Sequence, residues 1–278
     1  MKTNEKKVVE KKKSDKVKRG VSAGFVILCC FIIAQLFFNF VCGDPANFID
    51  GNPKGHPIQG NIFGTLYKGG VIIPFVMTLL LTVITLSVER FFAMNRANGK
   101  GNLVQFVHDV KRKLDANDIK GAHELCNAQK GATANILNAA LIRYEDVEKI
   151  DNLNNDEKAA IIQKEIEEAT ALELPAMEQN LPIIATISTL GTLFGLLGTV
   201  LGMIRSFAAL ANEGAPDSLA LSTGISEALM NTAMGIGTGA LAIIFYNVFA
   251  QKVQGITNAV NEIGFAIGQT YSKKHSAL

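Results

Sequence analysis

Residues 189–207, TLGTLFGLLGTVLGMIRSF, place four glycines, three threonines and an arginine inside a long apolar run. Glycine in a helix interior costs about 1 kcal/mol relative to alanine, and hydrocarbon offers a hydroxyl no partner. Such a composition needs a chemical reason. Ser188, Thr192, Gly195, Thr199, Gly202 and Ser206 are spaced 4, 3, 4, 3, 4 and fall along one helical stripe. Gly191, Gly195, Gly198 and Gly202 make an adjoining stripe. A later run repeats the pattern with Ala228, Thr232, Gly235 and Gly239, flanked by Asn231, Gly235, Thr238 and Ala242. Small residues at this spacing let membrane helices approach closely, and hydroxyls can bond across the contact. Two uses are open: packing alone, or one stripe that packs while the hydroxyls line a narrow path for protons or ions.

The charges within the apolar runs are more telling. An ionisable group deep in a bilayer costs several kcal/mol unless it is paired or wet, and is a functional candidate by default. Arg205 lies about ten residues before a polar turn and Glu227 about twelve after its centre. Antiparallel helices bring the two to similar depth, so an Arg205–Glu227 ion pair stands beside a direct functional role for each. Neither His nor Lys occurs in the apolar runs, and no HExxH, GxSxG or glycine-rich nucleotide loop is present. An enzyme needs a nucleophile, base or metal cluster, and none assembles here. His123 and Cys126, three apart, are too few ligands for a closed metal site. Cys29, Cys30, Cys42 and Cys126 have no disulfide or zinc spacing. No cofactor is expected. A lone central carboxylate, Glu227, implies that a proton carrier here works with a partner.

The elements that position these residues follow from hydropathy. The 278-residue chain is 48% apolar, which suits a membrane protein with sizeable polar parts. Four segments reach the roughly 20 residues that a spanning helix needs: 21–43, 69–92, 182–211 and 219–250. The first is too long, and lacks the small-residue cleavage site, for a secretory leader, and reads as an uncleaved anchor. Residues 44–68, rich in Gly, Pro and Asn, read as a loop, and 212–218 as a turn. The last two spans run to roughly 30 residues, about 45 Å at 1.5 Å per residue, and must tilt or protrude. Pro74 falls in the first turns of the second span, where proline is tolerated.

Residues 93–181 read as a polar helical domain. Leu103, Phe106, Val107, Val110 and Leu114 share one helical face; Asp118 opens a second helix bearing Ala122, Leu125 and Cys126. A third runs from Asp156 towards the third span, with Pro175 as a kink. Residues 251–278 read as a C-terminal helix or tail. The Lys and Arg residues set the orientation: nine in 1–19, two in 44–68, twelve in 90–181, none in 212–218 and three after 250. That alternation fits four spans with both termini in the cytoplasm. The tail, 1–20, is basic without interleaved aromatics and reads as topogenic rather than as a nucleic-acid site.

Two stretches carry a family resemblance. GLLGTVLGMIRSF (195–207) and GISEALMNTAMGIGTGALAIIFYNVF (224–249), in order and correctly spaced, resemble the paired signatures of the MotA/TolQ/ExbB proton channel family, on its TolQ/ExbB branch. Glu89-Arg90-Phe91 and DIKGAHELC are similar but less specific. The resemblance covers about residues 70–250. It implies an all-α integral membrane protein of the Gram-negative inner membrane, assembled as a homopentamer whose third and fourth spans line a pore. It further implies a one-span partner like ExbD or TolR, whose membrane aspartate carries the proton, and a TonB- or TolA-like protein energised by relative rotation of the two parts. Carried over by motif, Thr199 and Thr232 are the pore-facing hydroxyls and Glu227 the acidic residue of the periplasmic half. Thr192, Ser188 and Asn231 extend the polar track. The glycines Gly191, Gly195, Gly198, Gly202, Gly235 and Gly239 then set how closely helices of neighbouring subunits pack. Three departures stand out: many members have Ala-Pro where this chain has Gly191-Thr192, the basic tail and first span are additions, and Arg205 occupies a variable place.

The resemblance thus implies a proton-channel subunit of an ExbB–ExbD-like motor serving TonB-dependent transport, with a TolQ-like envelope motor or a gliding or flagellar-type stator as the nearest alternatives. H⁺ is the implied ion, and Na⁺ stays open because hydroxyl-lined paths serve both. A non-conducting structural oligomer is the reading from a different class.

Overall fold

The computed structural model describes residues 22–53, 55–150, 152–212 and 218–276. The basic tail and most of the turn expected at 212–218 lie outside the described residues. The fold is all-helical, with four helices long and apolar enough to cross a membrane. In chain order the α-helices of the described residues are α1 (Ala23–Phe37, continued by a π turn Phe38–Cys42), α2 (Ile62–Lys68), α3 (Ile72–Asn98), α4 (Leu103–Asp115), α5 (Ile119–Gln129), α6 (Gly131–Glu148), α7 (Asn155–Glu178), α8 (Leu181–Asn212) and α9 (Ser218–Ser276). The described residues fall into two compact units, one drawn from Val21–Arg90 and Asn180–Phe249, the other from Phe91–Gln179 and Ala250–Leu278.

In the first unit the additional span α1 turns its small residues inward. Ala23, Val26, Cys30 and Ala34 are buried, while Phe25, Leu28, Ile32, Ile33 and Phe40 are exposed. The small stripe lets α1 lie along α3, with Phe31 against Phe75 at 5.7 Å between ring centroids and Cys30 Sγ 3.9 Å from Thr85 Oγ1. Phe75 in turn stacks on Phe194 of α8. The span is therefore packed into the unit rather than appended to it.

The segment 44–68 is more ordered than a loop. Asp44 caps a short 3₁₀ turn by accepting from the Ala46 N–H. The Asn47 side chain donates to the Val41 carbonyl at 2.7 Å and the Cys42 carbonyl at 3.2 Å. The last seven residues form α2, started by Asn61, whose side chain accepts from the Gly64 N–H. The sequence pattern hides this helix because glycine and asparagine, which also signal turns, supply its cap and first turn. Tyr67 then stacks on Phe38 and meets Phe48 edge-on, holding the segment against the end of α1.

Pro175 does not end its helix, which continues to Glu178. The break falls at Gln179–Asn180, where Asn180 adopts a left-handed φ of 66° that asparagine tolerates better than most residues. Its side chain donates to Glu89 Oε2 at 3.4 Å. Without a proline at 191–192, α8 runs unbroken from Leu181 to Asn212.

In the second unit α4–α7 and the C-terminal part of α9 share one core. Phe106, Val107, Val110 and Leu114 are buried on the α4 face that the spacing predicts, with Leu103 at its edge. The helix contributing most is α6, through Ile136, Leu137, Ala140, Leu141, Tyr144 and Val147. Its start is a tight corner, Lys130 at φ 57° and Gly131 at φ 88°, with no proline to mark it. A Cβ on Gly131 would lie 2.5 Å from the Ala97 carbonyl oxygen, so the corner needs glycine for space as well as for φ. Cys126 is buried and its thiol is pushed up to about 12 by desolvation. His123 Nδ1 is hydrogen-bonded to the Asn138 side chain. Neither is arranged as a metal ligand.

Candidate functional site

The site grows from the antiparallel pair α8 and α9, whose small residues meet in register. Ser206 faces Gly224, Gly202 faces Ala228, Gly198 faces Asn231, Gly195 faces Gly235, and Gly191 reaches Gly235 and Gly239. A Cβ on Gly195 would lie 3.0 Å from the Gly235 Cα, and one on Gly235 would lie 2.5 Å from the Gly191 carbonyl oxygen. The glycines expected to set how closely helices of neighbouring subunits pack bring two helices of one chain into backbone contact. Hydrophobic burial is no driving force between helices in lipid, so close packing of this kind is what holds such a pair.

Close approach places hydroxyls of the two helices together. Thr199 and Thr232 are hydrogen-bonded through their side-chain oxygens. Each has a second acceptor within reach: the Gly195 carbonyl at 3.3 Å for both, and the Ala228 carbonyl at 3.3 Å for Thr199. Both threonines are half-buried, open at the edge of the seam. Thr192 is exposed and donates to the Ser188 carbonyl. Ser188 is half-buried and donates to Ala185. Ser206 is buried and donates to Gly202.

Asn231 is placed differently from the other polar residues of the track. It is 1% exposed, and its Nδ2 donates at 3.2 Å to the carbonyl of Gly69, in the turn before α3. Its Oδ1 has no partner among the described residues. This side chain faces the interior of the unit and ties the fourth span to the second.

Glu227, Arg205 and Asn231 line one cavity of about 200 Å³, together with His56, Lys68 and Thr223. Lys68 and Arg205 are the lysine and the arginine of its lining. The expected Arg205–Glu227 ion pair is not closed: no contact between them within 4 Å occurs among the described residues. Arg205 instead lays its guanidinium over Gly70, where a Cβ would lie 2.7 Å from Nη1. Thr223 Oγ1 lies 3.4 Å from His56 Nδ1, a hydrogen bond joining α9 to the 44–68 segment. His56 and Lys68 were not legible as site residues, because a segment read as a loop gives no face on which to place them. The one signal was that Lys68 is one of only two cations in that stretch. No cluster of three or more His, Cys, Asp or Glu side chains able to hold a metal ion occurs among the described residues.

The arrangement suits proton movement better than bond chemistry. A hydroxyl can accept one proton while releasing another, and a carboxylate can store one; no nucleophile with an adjacent base is assembled among the described residues. The sequence matches the MotA/TolQ/ExbB proton channel family over residues 129–262, which include both threonines and Glu227. It is similar to the putative biopolymer transport protein ExbB-like 3 of Synechocystis sp., 41% identical over 30% of this chain and 41% of the relative. It is similar to the biopolymer transport protein ExbB of Pseudomonas putida, 34% identical over 31% and 26% of the two chains. A longer match, 23% identical over 70% of this chain and 87% of the relative, is to the Tol-Pal system protein TolQ of Haemophilus influenzae. The first two matches thus span less than half the length of those relatives.

Proposed function

We propose, from the match to the MotA/TolQ/ExbB proton channel family over residues 129–262 and the similarity to ExbB and TolQ relatives, that this chain is a member of that family and the proton-channel, or stator, subunit of an ExbB–ExbD-like inner-membrane motor. The observation that carries this reading is the Thr199–Thr232 hydroxyl pair, set on a half-open seam next to the cavity that holds Glu227. Thr199 and Gly202, which lines that cavity, are three residues apart on α8, about 4.5 Å along a helix. A proton held by Glu227 and passed along hydroxyls needs a carrier that moves, and a membrane aspartate on a one-span ExbD- or TolR-like partner is that carrier. The chain works as a homopentamer with α8 and α9 of each copy around the partner helices. Both termini lie in the cytoplasm, as the Lys and Arg distribution favours.

The motor energises a TonB-like protein for transport across the outer membrane. A TolQ-like role in envelope integrity is the second reading, since the chain matches TolQ and ExbB relatives over similar lengths. The two share a channel and differ in the partner. Purification through a tag on this chain tests the proposal: a one-span protein with a membrane aspartate copurifies, and the complex in liposomes takes up protons down an imposed gradient. Recovery of this chain alone, or liposomes no more permeable to protons than empty ones, sinks it. The periplasmic domain of the recovered partner chain, and whether TonB- or TolA-like protein binds it, separates the two readings.

A further inference from the structure

The cavity beside Glu227 holds one titratable group with no part in the path above. His56 is half-buried, comes from the 44–68 segment and lines the cavity together with Thr223, Glu227 and Asn231 of α9. Those three residues of α9 are spaced four apart, so they stand on one helical face. The Thr223 hydroxyl lies 3.4 Å from His56 Nδ1 and ties the ring to that face at the first of the three positions. At the last, Asn231 is 1% exposed and its Oδ1 has no partner among the described residues. Glu227 stands between them, about 6 Å along the helix from each, a gap that one water can bridge. The cavity, of about 200 Å³, has room for several waters at roughly 30 Å³ each, and one of them serves the Asn231 oxygen.

We infer that His56 is the group that hands protons to Glu227 from the side of the 44–68 segment, an inference that rests on the channel reading above. The charged groups that line the cavity with it are Lys68 from α2, Arg205 from α8 and Glu227 from α9. Lysine and arginine ordinarily keep their protons near neutral pH, and threonine and asparagine side chains do not titrate there. An imidazole does, ordinarily changing charge between about pH 5 and 8. Among the lining residues, His56 and Glu227 are therefore the pair suited to take up and release a proton in each cycle. The transfer needs no further reactant. Hydronium protonates the ring and leaves as water. The imidazolium then gives a proton to the Glu227 carboxylate, through a water where the two do not touch, and the products are a neutral imidazole and a neutral carboxylic acid. The step cancels a positive against a negative charge, so the ring holds its extra charge only until the carboxylate takes the proton. Thr223 is a positioning residue, whose hydroxyl holds Nδ1 at the α9 face. The 44–68 segment thereby takes part in the proton path, since it carries the ring.

The test uses the complex purified through this chain and reconstituted in liposomes, with proton uptake driven by a potassium diffusion potential and read by an internal pH dye. His56→Gln keeps an amide for Thr223 but cannot carry a proton, and lowers the rate of uptake at least about tenfold. His56→Ala lowers it as much. Imidazole equilibrated on both sides of the membrane restores most of the uptake in His56→Ala and leaves His56→Gln low. Rescue by free imidazole separates a proton carrier from a residue that only holds the segment in shape. Uptake by His56→Gln equal to wild type overturns this inference alone, as does a loss in His56→Ala that imidazole does not repair. Absence of proton uptake by wild type overturns the channel reading and this inference with it. Elution of each variant as the wild-type assembly checks folding independently of flux. If His56→Ala fails to elute so, His56→Gln decides by its uptake alone.

Discussion

At the scale of the residue, the hydroxyl and the missing Cβ do opposite work on the same seam. Thr199 and Thr232 can hydrogen-bond to each other only because Gly191, Gly195 and Gly235 let α8 and α9 touch. Changing Gly235 to Ala forces a methyl against the Gly191 carbonyl and the Gly195 backbone, neither of which can yield by a side-chain rotation. The expected cost is about 1–3 kcal/mol, as for other overpacked contacts, seen as a lower melting temperature in detergent. Gly237, where an added methyl would meet nothing within 4 Å, is the control: Gly237→Ala leaves the melting temperature of the protomer unchanged or raises it. Equal losses for both would show that helix propensity, not the seam, sets the effect. The pattern of small residues was legible in the sequence. Its use was not, since spacing shows that a stripe exists and says nothing of whether its partner belongs to the same chain.

At the scale of the element, the second unit is held by α6. Leu137 is fully buried at its centre, so Leu137→Ala is expected to cost about 2–5 kcal/mol, measured by denaturation of the detergent-solubilised protein. A change under about 0.5 kcal/mol, the range of ordinary surface substitutions, would mean that α6 is not central to this core. Helix starts add a pH dependence. Asp118 caps α5, and its carboxyl is held below the usual range by the hydrogen bond from Lys113, then by the Gly121 N–H. A carboxyl so depressed stabilises the fold above its unfolded pKa, about 3.9, and loses that contribution as the pH falls through the lower folded value. Wild type and Asp118→Asn should therefore diverge in acid sensitivity only below about pH 4; divergence that begins near neutrality would assign the effect elsewhere. The α4 face was readable from its helical period of about 3.6. The corner at Lys130–Gly131 and the short α2 were not, because a positive φ and a seven-residue helix leave no periodic signature.

At the scale of the whole molecule, composition carries more than motif. From the alternation of basic and neutral segments we propose that the 44–68 segment lies on the periplasmic side. A cysteine placed at Gln59, exposed in the structure, should react with a membrane-impermeant thiol reagent in spheroplasts; protection there, with reaction only after lysis, would invert the topology. The additional span was legible as a helix, but not as one packed on α3 through Phe31 and Cys30, and its link to Lys68 emerges only from the folded segment that follows it. The central claim is that the α8–α9 seam conducts. Proton uptake by the reconstituted complex tests it through Thr199→Val, which keeps the shape and removes one hydroxyl of the pair. Conduction falls about a hundredfold, the low end of what a positioned proton-transfer group contributes, and Thr199→Ser restores most of it. Proton uptake by Thr199→Val equal to wild type, in a complex of unchanged size, would contradict the account.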